Sequence, residues 1–239
     1  VNAPADVSFA LELSDLQLTE LTRTLGWHRF DGALSGSIPQ IRWAGDTLKT
    51  DGAMTLGLFG GRASIHGLEI EKPFSALRSI KMSATLDGLD LEQASRTFEF
   101  GRITGAVSGT IADLVFSQGQ PAGFQAEIHT VDKPGTSRWI SVEALNKITV
   151  VSSGNNAGSL YGGLAGWFDS FRYDKLGFKA ALKNDTLTLR GIESKNGLEY
   201  LVVGSWIPPT VNIVSYTQEI GFSELVRRLE QAQKSGAKK

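Results

Sequence analysis

Apolar and polar residues alternate along most of the chain. In "SIKMSATL", Ile80, Met82, Ala84 and Leu86 hold one parity, and Ser79, Lys81, Ser83 and Thr85 hold the other. Successive strand side chains point to opposite faces, so this alternation predicts a half-buried strand. "GFQAEIHT" repeats it, with Phe124, Ala126 and Ile128 opposed to Gln125, Glu127 and His129. The same pattern predicts strands over 53–60, 62–71, 176–183, 186–192, 198–204 and 211–216. Turn residues punctuate them at Gly60-Gly61, Asp87-Gly88, Gly119-Gln120-Pro121, Asn184-Asp185 and Pro208-Pro209. Roughly ten strands at such spacing imply antiparallel connections. The predicted fold is mainly β with a few helices: a curved antiparallel β-sheet, an open, taco-like groove, with helices packed on it.

A repeat organises the first half. Residues 13–41 align without a gap with residues 86–114, and 11 of the 29 positions are identical. Each copy reads as an alternating strand, a short helical stretch ("TELTRTLGW", "EQASRTF") and a glycine strand ("GALSGSI", "GAVSGTI"). By parity, Phe30, Gly32, Leu34, Gly36 and Ile38 share a face in the first copy, as do Ile103, Gly105, Val107, Gly109 and Ile111 in the second. The glycines therefore fall on the apolar face. A glycine there marks a close approach or a curl of the sheet. Two readings follow: the short helix upstream nestles into the dent, or a curved sheet holds an elongated apolar ligand on its concave face.

Two further helices are expected. Over 158–171, Leu160, Tyr161, Leu164, Trp167, Phe168 and Phe171 recur at helical spacing, with glycines at 158, 162 and 166. This helix either plugs the sheet or meets a membrane surface or acyl chain. The C-terminal "FSELVRRLEQAQKSG" carries Phe222, Leu225, Val226 and Leu229 on one stripe, with Ser223 as the expected N-cap. It is expected to dock on the body or on a partner.

Composition narrows the chemistry. The 24 basic and 25 acidic residues leave a net charge of −1 with no basic stripe, which argues against nucleic acid. Without cysteine there is no disulfide and no thiolate metal site. His28, His66 and His129 have no metal-ligand spacing, and no nucleophile elbow or phosphate loop occurs. Asp87, Asp90 and Glu92 suit a turn entering a helix. No catalytic residue, cofactor or metal site is expected, and the chain reads as a non-enzyme. The opening "VNAPAD" lacks methionine, which suggests a fragment of a longer protein.

The stretch "LFGGRASIHGLEIEKPFS", the run "LDGLDLEQASRTFEFGRITGAVSGTIADLVFSQGQPAGFQAEIHT", and later "RWISVEALNKITVV", "GFKAALKNDTLTLRG" and "FSELVRRL" resemble the C-terminal part of AsmA-like proteins, most closely the YdbH-type branch. That resemblance implies a periplasmic protein anchored to the inner membrane, with a long β groove that carries phospholipids between inner and outer membranes. The repeat and the helical pattern divide the chain into one β-rich domain built from two related modules (about 11–60 and 84–131) and a C-terminal part (about 137–239) ending in an amphipathic helix. Phe30, Leu34, Ile38, Ile103, Val107 and Ile111 are then the candidate lipid-binding floor. Leu164, Trp167 and Phe168 are the candidate lid or membrane contact. Phospholipid is the expected partner, with membrane contact made through the full-length protein. The alternatives are an envelope assembly module that binds another envelope protein through a sheet edge or the C-terminal helix, and an enzyme on a β scaffold.

Overall fold

The computed structural model describes residues 7–17, 19–20, 33–153, 168–215 and 219–227. Their strands form one curved, antiparallel 15-stranded sheet. The N-terminal strands are β1 (Val7–Gln17), β2 (Ala33–Ala44), β3 (Thr47–Asp51), β4 (Ala53–Leu58) and β5 (Gly61–Glu71). The central strands are β6 (Ser79–Asp90), β7 (Ala106–Ser117) and β8 (Gln120–Val131). The C-terminal set is β9 (Trp139–Ser141), β10 (Ser170–Lys183), β11 (Thr186–Gly191), β12 (Glu193–Lys195), β13 (Leu198–Gly204), β14 (Ile213–Ser215) and β15 (Glu219–Gly221). Helix α1 spans Leu91–Thr97 and α2 spans Val142–Ser153, and residues 222–227 are also helical. The main path runs β1-β2-β3-β5-β6-β7-β8-β10-β11-β15, with β4 beside β2 and β5.

The sequence repeat is reproduced in the register. In the β1–β2 hairpin Leu11 pairs with Ile38, Leu13 with Gly36 and Leu16 with Leu34. In the β6–β7 hairpin Ala84 pairs with Ile111, Leu86 with Gly109 and Leu89 with Val107, every partner displaced by 73 positions. Even the bulges correspond, lying between Leu13 and Leu16 and between Leu86 and Leu89. Asp87-Gly88 is therefore a bulge inside β6 and not a turn between strands; the extra residues increase the local twist.

What approaches the repeated glycine is a strand, not the short helix. A Cβ on Gly36 would stand 1.8 Å from the Thr55 carbonyl oxygen of β4, and one on Gly109 would stand 2.0 Å from the Glu127 carbonyl oxygen of β8. Each of those carbonyls precedes the residue that pairs with the glycine, Leu56 in one copy and Ile128 in the other. Two backbones draw together there because no side chain intervenes, so the glycine places a curl in the sheet.

The strand parity predicted for the second copy breaks at Gly105. Its φ of +133° is a left-handed conformation that side chains rarely adopt, and the Tyr173 hydroxyl lies 2.6 Å from where its Cβ would stand. Ile103 therefore falls outside β7 and makes an isolated bridge with Ile140. It does not share a face with Val107.

The core is concentrated at the C-terminal end. Ile140, Leu145, Phe171 and Val202 are almost fully buried there, joined by Leu182, Leu187, Leu189, Ile213 and Leu225. A smaller cluster of Ile38, Ile41 and Met54 lies where the first strands curl together. Helix α2, which sequence patterning missed, follows directly on Ser141, whose Oγ accepts the amide of Ala144. Its "KITVV" run is β-branched and favours a strand in isolation; burial of Ala144 and Leu145 overrides that preference.

Two helix expectations change. Phe171, assigned to a helix from sequence, is 1% exposed in β10 and pairs with Ile140; residues 158–167 lie outside the described set. At the C-terminus Ser223 sits inside the helix, and Asp185 from the β10–β11 turn satisfies the helix start. The Asp185 Oδ1 accepts the Ser223 amide at 2.9 Å and its hydroxyl at 2.7 Å. Those two donors hold the Asp185 carboxyl below its usual pKa. Leu225 is buried against the main core, so this helix docks on the body.

Candidate functional site

Because paired residues in an antiparallel ladder share a face, the register defines what each face carries. One row crosses nine strands, from β1 to β11: Leu13, Gly36, Leu56, Ala63, Leu86, Gly109, Ile128, Phe178 and Gly191, each paired with the next. A parallel row runs Met54, Ile65, Ala84, Ile111, Ala126, Ala180 and Leu189. Neither row contains a polar side chain. The opposite face carries cross-strand ion pairs, Lys49–Glu69 at 3.2 Å, Lys81–Glu71 at 2.9 Å and Lys179–Glu127 at 3.2 Å. Pairs this exposed add little stability, but they commit that face to water.

Burial along the second row is uneven. Met54 at 6%, Ala180 at 8% and Leu189 at 5% are buried, whereas Ile65, Ala84, Ile111 and Ala126 between them are half-buried. In the first row Leu86, Gly109 and Ile128 are likewise half-buried. The second row is thus covered at both ends and open over β5–β8, whereas the first is buried at Leu56 and Ala63 and half-buried from Leu86 onward. Backbone groups of these inner strands are engaged with neighbours on both sides, so the open strip offers hydrocarbon and little else.

The expected floor residues distribute as follows. Ile111 lies in the open strip. Val107 and Ile38 lie on the apolar face but are buried, at 5% and 9% exposure. Ile103 belongs to the C-terminal core, alongside Ile140 and Ala144. Leu34 pairs with Leu16 through its backbone, and Phe30 lies outside the described residues. Of the expected lid, Leu164 and Trp167 are outside the described residues, and Phe168 is exposed with its ring 5.8 Å from that of Phe171. Reading single strands missed Leu86 and Ile128 as neighbours of Ile111, because cross-strand register joins them.

A cleft of about 340 Å³ on the polar side of β7, β8, β10 and β11 is lined by Thr110, Gln125, Glu127, Lys179 and Arg190, and two further polar clefts lie beyond the strip. One of these, also about 340 Å³, is lined by Arg102, Thr104, Ser137, Trp139, Ser141 and Ser170. Its polar groups are largely engaged in the fold: Thr104 Oγ1 donates to the Ser137 carbonyl, Ser141 Oγ accepts from Arg102 N, and Arg102 Nε reaches Glu92 at 3.1 Å. A second cleft, about 500 Å³, is bridged by Lys133, which donates to the carbonyls of Gly60 and Gly88. Asp90 caps α1 through the Gln93 amide. His66 and His129 are exposed; His28 lies outside the described residues. Tyr173, whose phenol burial pushes upward in pKa, donates to the Thr104 carbonyl at 2.6 Å and ties β10 to the segment before β7.

Comparison with protein-family models, with characterised proteins and with solved structures found no match to this chain.

Proposed function

We propose that the chain is a groove segment that shields phospholipid acyl chains from water as lipid moves between the inner and outer membranes of a Gram-negative envelope. The observation that carries this reading is the open apolar strip of β5–β8, unbroken by polar side chains across four paired strands. A hydrocarbon needs no hydrogen-bond partner, and each Å² it shares with the strip is worth about 25 cal/mol. The ion-paired opposite face stays in solvent. The resemblance to AsmA-like proteins supports the same reading and adds the periplasmic setting and inner-membrane anchor. The protein acts as a passive shield with no bond-making step.

Extraction and quantification of lipid from the purified chain tests this. Phospholipid is expected to co-purify and to fall severalfold in Ile111→Glu, which places a carboxylate in the strip. Equal lipid in both proteins, or none in either, would contradict the proposal.

The second reading, an envelope assembly module, draws on a separate feature. Strand β1 stands at the end of the sheet path, with Phe9 and Leu11 exposed at 43% and 40%. A long apolar end strand is suited to receiving a strand from another envelope protein. Stoichiometric partner capture without lipid would favour this module.

A further inference from the structure

The dimensions of the open strip narrow what it takes. From Ile65 on β5 to Ala126 on β8 there are three inter-strand steps of about 4.8 Å, ~14 Å in all. Two opposed lipid tails fill a hydrocarbon core of ~30 Å, so one tail reaches about 15 Å. The strip matches one acyl tail laid across the strands.

Its C-terminal end is built as a stop. Beyond Ala126 the row continues to Ala180 and Leu189, which are buried. Phe124 and Phe178 sit two residues to either side of that small Ala126–Ala180 pair, Phe124 opposite Leu182 and Phe178 opposite Ile128. Both rings are partly buried against the C-terminal core. On the apolar face the open strip therefore ends at Ala126, against the buried Ala180, with Phe124 and Phe178 flanking the pair. A peptide is a poor occupant, because the inner strands have engaged their backbone groups and the apolar face around this pair carries no polar side chain.

We infer that Phe124, Ala126, Phe178 and Ala180 form an end stop that receives the terminal methyl of a single acyl tail and sets the tail length the strip prefers. This rests on the lipid-shielding function proposed above. Ala126 is the specificity-determining position, because it is the last half-buried residue of the row before the buried Ala180.

The test is equilibrium binding of lysophosphatidylcholine homologues, lauroyl to stearoyl, to the purified chain. Wild-type affinity should rise with length and then level off. Ala126→Phe should move the plateau to shorter tails and weaken stearoyl relative to lauroyl by about tenfold, the worth of roughly two buried methylenes. Phe124→Ala should move it the other way. Circular dichroism and thermal unfolding of each variant separate a shifted profile from a damaged fold. Binding with a length profile unchanged in both folded variants would overturn the end stop while leaving the groove standing. Absence of binding in the wild type would overturn the groove, and the stop with it.

Discussion

The middle of the sheet and its C-terminal end use the same apolar face differently. Across β10 and β11, Leu182, Leu187 and Leu189 belong to one core with residues of α2, β13, β14 and the helix at 222–227, and the side chains reach near-complete burial. Across β6–β8, Ala84, Ile111 and Ile128 have the same chemistry and the same register but stay half-buried, outside both core clusters. An uncovered apolar strip contributes less to folding than it could, since the hydrophobic gain scales with area removed from water. The difference teaches that alternation alone makes a face apolar, whereas the elements that follow in the chain decide whether that face is core or binding surface.

The contrast predicts unequal costs for similar substitutions. The largest belongs to the closed end: Phe171→Ala should cost about 4 kcal/mol, transfer plus cavity, in urea unfolding. Next come the curl positions. Gly109→Ala should cost about 1–3 kcal/mol, because the new methyl meets the Glu127 carbonyl, and Gly36→Ala should cost a similar amount if the two copies are energetically equivalent. A neutral Gly109→Ala would show that the strands separate freely there.

Tyr173→Phe should cost about 1–2 kcal/mol by leaving the Thr104 carbonyl without its donor. It should also change the alkaline limb. Burial raises the folded-state phenol above its ordinary pKa of 10.0. Above about pH 10 the unfolded chain therefore sheds a proton that the folded chain keeps, and stability falls as pH rises. The wild type should lose stability in this range, and Tyr173→Phe should lose less. Parallel pH profiles would remove the ionisation argument. The smallest effect belongs to the open strip: Leu86→Ala should cost about 1 kcal/mol, because part of the side chain is already in water.

Much of this architecture was legible beforehand. The alternation in 79–86 and 123–130 became β6 and β8, and the 73-residue displacement reappeared as identical register in two hairpins. Gly105 precedes β7 and Gly32 lies outside the described residues, whereas Gly36 and Gly109 did fall on the apolar face. Their neighbour, a strand carbonyl in place of a helix, depends on register between segments that pattern within one strand does not encode. Ile103 was misplaced because the left-handed Gly105 interrupts the parity that sequence spacing assumes. Helix α2 was hidden by β-branched residues whose local preference yields to burial against β9 and β14. The candidate site was legible only in part for the same reason. Ile111 was named from its own strand, but its neighbours Ala84, Leu86, Ala126 and Ile128 come from strands on either side.

The most direct measurement compares two adjacent positions on opposite faces. A photo-crosslinking amino acid is placed at Ile111, on the apolar strip, or at Thr110, on the polar face, and lipid adducts are read by mass after irradiation in cells. The account predicts a phospholipid adduct at 111 and none at 110. Equal labelling at the two positions, or labelling at 110 alone, would contradict the claim that this strip is where acyl chains travel.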